Sequence, residues 1–226
     1  MKTTRRLAFT MFLLVFGAAA GAVPQDPCSQ GTAYRDCRAC GTAKTKKAQE
    51  LNVNKNRDEK ATAPEQITVQ QIRDPKNNGK FKPEKQVWVT GYVASVGSGG
   101  NQESCNCARD DLRDIHINIV AKASEASNQS KYVVVEFTPR WQQKFGLNDS
   151  NYQKMLKAVR SQIEHKWVKF EGWMLYDFMH ENGSKSTQPK QKTCPNDGRM
   201  HSGCNWRATP WEVHPVTSYT VTTAPR

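Results

Sequence analysis

Asp114-Ile115-His116-Ile117-Asn118-Ile119-Val120 alternates polar and apolar side chains over its first six residues. A period of two is that of a β-strand with one face in a core and the other turned away from it. Similar runs stand on either side. Val87-Trp88-Val89-Thr90-Gly91-Tyr92-Val93-Ala94-Ser95-Val96 precedes it, β-branched and aromatic, with Gly91 where a strand can bend or bulge. Tyr132-Val133-Val134-Val135-Glu136-Phe137-Thr138 follows and is stopped by Pro139. Asp149 or Ser150 can then cap a helix to about Glu164, in which Tyr152, Met155, Leu156, Val159 and Ile163 recur at helical spacing. A fourth strand is expected over 167–176, with Gly172 inside it. After a long polar loop a fifth is expected over 208–221, interrupted by Pro210 and Pro215. Three strands, a helix and two strands is the order of an OB barrel, and glycines in the first and fourth runs suit its tight coiling. The expected fold is mainly β: a five-stranded OB-type barrel over 86–222, with one helix between strands three and four.

The chain ahead of the barrel reads differently. Lys2, Arg5 and Arg6 precede a run of about 14 apolar residues, shorter than the ~20 a spanning helix needs. Ala20-Gly21-Ala22 then fits a cleavage site, so residues 1–22 read as a signal peptide and the protein as secreted or periplasmic. No later stretch is apolar enough for a transmembrane segment. Residues 23–62 are polar, basic and poor in large apolar side chains, the composition of a disordered, mobile tail tied locally by its cysteines. Residues 63–85 form a lead-in, with turns at Asp74-Pro75 and Asn77-Asn78-Gly79.

The formal charge is +12, and loss of Lys2, Arg5 and Arg6 with the signal would leave +9. Such an excess favours a polyanionic partner, nucleic acid or acidic glycan, with an envelope protein as the other class of partner. Part of the excess sits in the tail, where residues 28–60 hold eight Lys or Arg against four acids.

All seven cysteines follow the signal, and an odd number leaves one thiol over. Cys194 and Cys204 flank a Pro-Asn-Asp-Gly loop and are expected to bridge. Cys28, Cys37 and Cys40 supply one pair and a spare. Cys105 and Cys107 are too close to pair readily with each other and look elsewhere. Cys37-Arg-Ala-Cys40 has the spacing of redox and zinc sites, but no strand leads into it and no second Cys/His pair is near, which favours a structural bridge.

Trp211-Glu212-Val213-His214-Pro215-Val216, with Asp114-Ile115-His116-Ile117 and Glu171-Gly172-Trp173, resembles a group of uncharacterised secreted bacterial proteins with OB-like domains. The resemblance covers about 87–220. It implies the barrel fold and export, and carries no activity.

Alternation also assigns faces. With Ile115, Ile117 and Ile119 inward, Asp114 and His116 leave the barrel. Val133, Val135 and Phe137 inward set Glu136 outward; Trp211 and Val213 inward set Glu212 and His214 outward. An OB barrel places strand three between strands two and five, so these residues converge, and the loop between strands four and five brings Asp177 and His180 near. The expected ligand face is therefore Asp114, His116, Glu136, Asp177, His180, Glu212 and His214.

One reading is a binding platform for oligosaccharide, nucleic acid or protein. Arg109, Arg113, Lys185, Lys190, Lys192, Arg199 and Arg207 would supply attraction, and Trp88, Tyr92, Trp141, Trp173 and Trp206 are the aromatics available for stacking. Carboxylates at the centre of the platform would repel phosphates. The alternative is a hydrolase of phosphodiesterase or nuclease type, with zinc or manganese held by His116, Glu136, Glu212 and His214 and activating a water. A third reading is cross-strand ion pairing worth ~0.2–1 kcal/mol per pair. No nucleophile elbow, phosphate loop or dinucleotide fingerprint occurs.

Overall fold

The computed structural model describes residues 26–197 and 201–225; the expected signal peptide and Arg199 lie outside the described residues. A short strand, β1 (Glu65–Thr68), precedes β2 (Gln86–Ser98), β3 (Ile115–Val120), β4 (Val133–Phe137), β5 (Trp167–Tyr176) and β6 (Trp211–Thr222). The helices are α1 (Lys46–Lys55), α2 (Val69–Arg73), α3 (Pro139–Lys144) and α4 (Tyr152–Ile163). Antiparallel pairing joins β2 to β3, β3 to β4, β5 to β6 and β5 back to β2, and a parallel contact at Val135 and Val213 joins β4 to β6. The ring closes as a five-stranded barrel in the expected OB order, and β1 adds outside it, parallel to β2.

The alternating apolar positions fill the barrel. Ile115, Ile117, Ile119, Val133, Val135, Phe137 and Val213 are fully buried in one core, joined by Leu156, Val159 and Ile163 from α4. The cap of α4 is Asn151 rather than Asp149 or Ser150: its side chain accepts the Lys154 N–H, while Asp149 accepts from Asn151 one step earlier. Gly172 sits where β5 and β6 approach closely. A Cβ there would run into the Pro215 carbonyl oxygen, and the β5–β6 register shifts on either side.

The segment expected to be a mobile tail is packed on the barrel. Thr45 caps α1 through the Ala48 N–H, and α1 buries Leu51, Asn52 and Lys55. Cys28 pairs with Cys40, and Cys37, the spare, pairs with Cys107 across the β2–β3 loop; Cys194 and Cys204 bridge as expected. Buried Asn52 and Asn56 donate to the Cys40, Ala39 and Cys105 carbonyls, and the Trp141 and Trp173 indoles donate to the Arg57 and Glu59 carbonyls. A composition rule weighs apolar burial against ordering entropy. Here disulfides and buried side chain-to-backbone hydrogen bonds supply the order instead. No helix among the described residues is long and apolar enough to cross a membrane.

Candidate functional site

β3, β4 and β6 lie side by side, so the positions that alternation turns away from the core meet. His116 and Glu136 are register partners, with His116 Nε2 3.1 Å from Glu136 Oε1. His214 Nδ1 lies 3.1 Å from both Glu136 Oε2 and Glu212 Oε1, and its Nε2 lies 4.0 Å from Asp114 Oδ2. Five of the seven expected residues thus form one cluster. Asp177 and His180 flank it: Asp177 takes Lys55 Nζ at 2.6 Å, and His180 Nε2 stands 3.5 Å from the same carboxylate with its ring edge-on to Trp206.

What differs from expectation is exposure. Asp114, Glu136, Glu212 and His214 are 0–1 % exposed, so most of the set expected as an open ligand face is covered; His116 and His180 keep partly open edges. The cover is the N-terminal segment and the β2–β3 loop. α1 packs against β6 and against the 3-10 turn at Ser104–Asn106, and the Cys37–Cys107 bridge fastens the two together. Alternation states which way a side chain leaves a strand, not what lies beyond it.

Several participants escaped the sequence reading. Lys55 belongs to the supposed tail, Glu103 to a Gly-rich loop, and Cys105 is the leftover thiol, buried beside Asp114. Arg207, expected as a surface cation, is fully buried. It donates through Nη2 to Glu212 Oε2 at 2.8 Å and through Nε to the Thr209 carbonyl at 2.7 Å. Of the other expected cations, Arg109 and Arg113 pair with Asp111 and Asp110, and the Lys185 ammonium donates to the Pro189 carbonyl. An Arg five residues ahead of a Glu on a strand approach could have hinted at the buried pair; nothing local marks Lys55.

The charges are mutually supporting. Burial alone would lower both imidazoles, but Glu136, with Glu103 and Asp114, raises His116 to about 9, and Glu136, Glu212 and Asp114 raise His214 to about 10. Glu136, despite burial, is held well below the carboxylate range by the two histidines. Burial together with the Glu103 and Glu136 charges pushes Asp114 well above it. Burial would also raise Asp177, but Lys55, His180 and Arg207 hold it at about 2. Burial and the Arg207 guanidinium lower His180.

Elsewhere, a groove of about 870 Å³ runs over β1, β2 and β5, lined by Thr68, Trp88, Thr90, Lys122, Trp167 and Lys169 among others. A smaller groove of about 400 Å³ crosses β2 and β3 between Asn118, Tyr132 and Trp206. Trp141 and Trp173 are buried and unavailable for stacking, whereas Trp88, Trp167 and Trp206 are half-buried. Compared with models of known protein families and with curated proteins, the chain matches none.

Proposed function

We propose that the protein is an exported OB-type binding module for an extended polyanion with planar rings, single-stranded nucleic acid foremost, held in the groove at Trp88 and Trp167. One observation carries this reading: the groove lining combines two indoles with Lys122 and Lys169 and contains no acidic side chain. Half-buried indoles offer faces for bases, each stack being worth ~1–3 kcal/mol, and ammonium groups neutralise phosphates. Lys169 also bonds Glu171 at 2.6 Å and lies over the Trp88 ring, so Lys122 is the freer of the two cations. Export rests on the signal-like start of the chain, supported by three disulfides of the kind that persist in oxidising compartments. Burial counts against the hydrolase alternative, because a polymer would have to reach carboxylates and an imidazole that are at most 1 % exposed.

The test is fluorescence anisotropy with labelled single-stranded DNA and RNA, duplex DNA and an acidic oligosaccharide over a range of salt. Single strands are expected to bind best. Trp88→Ala should weaken them by ~1–3 kcal/mol, and Lys122→Ala should make the salt slope shallower by about 0.7. Tighter binding of the acidic oligosaccharide would move the ligand to glycans. Unchanged affinity in both variants would sink the groove as the site.

A further inference from the structure

We infer that Asp114, Glu136 and His214 hold a divalent cation of the zinc or manganese class, a buried centre that ties β3, β4 and β6 together beneath the N-terminal segment. This is independent of the groove reading. One donor atom from each of the three residues can be chosen so that all lie within 4.8 Å of one another, and all three residues are buried. Bonds of ~2.0–2.2 Å in a tetrahedral zinc site put ligand atoms roughly 3.3–3.6 Å apart, so the donors need draw in by only about an ångström.

Three atoms here have no hydrogen-bond partner although their residues are 0–1 % exposed: Asp114 Oδ1, Glu136 Oε2 and His214 Nε2. Leaving buried polar atoms bare is costly, and a carboxylate oxygen beside an imidazole nitrogen is a donor set a cation satisfies. The histidine is also braced from behind. Nδ1 bonds Glu212 Oε1, and Glu212 is fixed by the buried Arg207. The carboxylate on Nδ1–H fixes the ring with Nε2 toward Asp114 Oδ2, 4.0 Å away, and a cation there would take the place of the Nε2 proton; ligating histidines are oriented in this way. Glu136 is braced by His116 on its Oε1, which leaves Oε2, now 3.1 Å from His214 Nδ1, as the oxygen that would turn toward the cation. Glu212 is therefore a positioning residue rather than a ligand.

A neighbouring group, Glu103, Cys105 and Asp114, is also close-set, but its own members are occupied. The Cys105 thiol donates to Glu103 Oε2, and Glu103 Oε1 accepts the Gly100 N–H. No orphaned atom belongs to Glu103 or Cys105, whereas Asp114, Glu136 and His214 each have one.

The experiment is calorimetric titration of the chelator-stripped, disulfide-bonded chain with zinc and with manganese, paired with thermal unfolding of loaded and stripped protein. Expected are one equivalent of bound metal, a higher Tm when loaded, and affinity lost by about tenfold or more in Asp114→Asn, an isosteric change. Glu212→Gln should weaken binding by about 10–100-fold while still taking up one equivalent, as loss of an orienting partner does. No uptake by the stripped wild-type chain would overturn the inference, and so would Asp114→Asn binding as tightly as wild type. Should a variant fail to fold, the wild-type titration decides alone.

Discussion

Asp177 shows how one residue's chemistry depends on chain far away in sequence. It leads the turn after β5, accepts the Met179 N–H, and meets Lys55 of α1, buried on both sides of the pair. Its carboxyl, at about 2, is depressed below the ~3.9 of an unfolded aspartate. A depressed carboxyl contributes stability in full above its unfolded value and loses it as pH falls through the folded one. Denaturant midpoints measured from pH 5 down to pH 2 should therefore drop steeply between about 4 and 2. In Asp177→Asn that acid-side drop should be shallower, with a lower stability at pH 5 because Lys55 is left buried and unpaired. Equal slopes in the two proteins would show that other carboxylates govern acid unfolding. Arg207 and Glu212 form a second such pair, and neither charge is exposed. A buried pair of this kind specifies an arrangement more than it stabilises one.

At the level of elements, two features decide the shape of the site. The first is the close approach of β5 and β6 at Gly172. Any side chain there meets backbone, the Pro215 carbonyl, as well as Val213 Cγ1 at 2.8 Å. Gly172→Ala should cost about 1–3 kcal/mol of stability, read as a lower denaturant midpoint with unchanged slope. A neutral substitution would mean that the strands can part there at little cost. The second is the attachment of α1. Cys37–Cys107 spans 70 residues and joins the N-terminal segment to the β2–β3 loop. Removing it in Cys37→Ser/Cys107→Ser should destabilise the chain by roughly 2–5 kcal/mol. It should also speed hydrogen exchange in α1 before that of β4, since local opening follows the loss of local cross-links. Equal protection of α1 in both proteins would mean that the Asn52 and Asn56 hydrogen bonds suffice to hold it.

Across the whole molecule, charge is sorted by depth. The acidic and imidazole groups of β3, β4 and β6 are enclosed with Lys55 and Arg207, while Lys122 stands in an open aromatic groove over β1, β2 and β5. In a chain with a formal charge of +12, the lining of that groove thus holds two lysines and no acidic residue, with Glu171 paired to Lys169 beside it, while a carboxylate cluster lies buried in the same barrel domain.

The barrel itself was legible along the chain because strand periodicity is local. The isoleucines of β3 face the core on every second residue, and the same rule in β4 and β6 correctly sent Glu136, Glu212 and His214 to one place. The Cys194–Cys204 bridge was legible for the same reason, its partners lying only ten residues apart. Only the tertiary structure decided that this polar face is roofed over, that Cys37 reaches Cys107, and that Lys55 and Arg207 neutralise carboxylates rather than face solvent. Those facts are set by contacts between segments distant in sequence. They are made by disulfides, buried amides and ion pairs, which leave no period in the sequence for a local pattern to report.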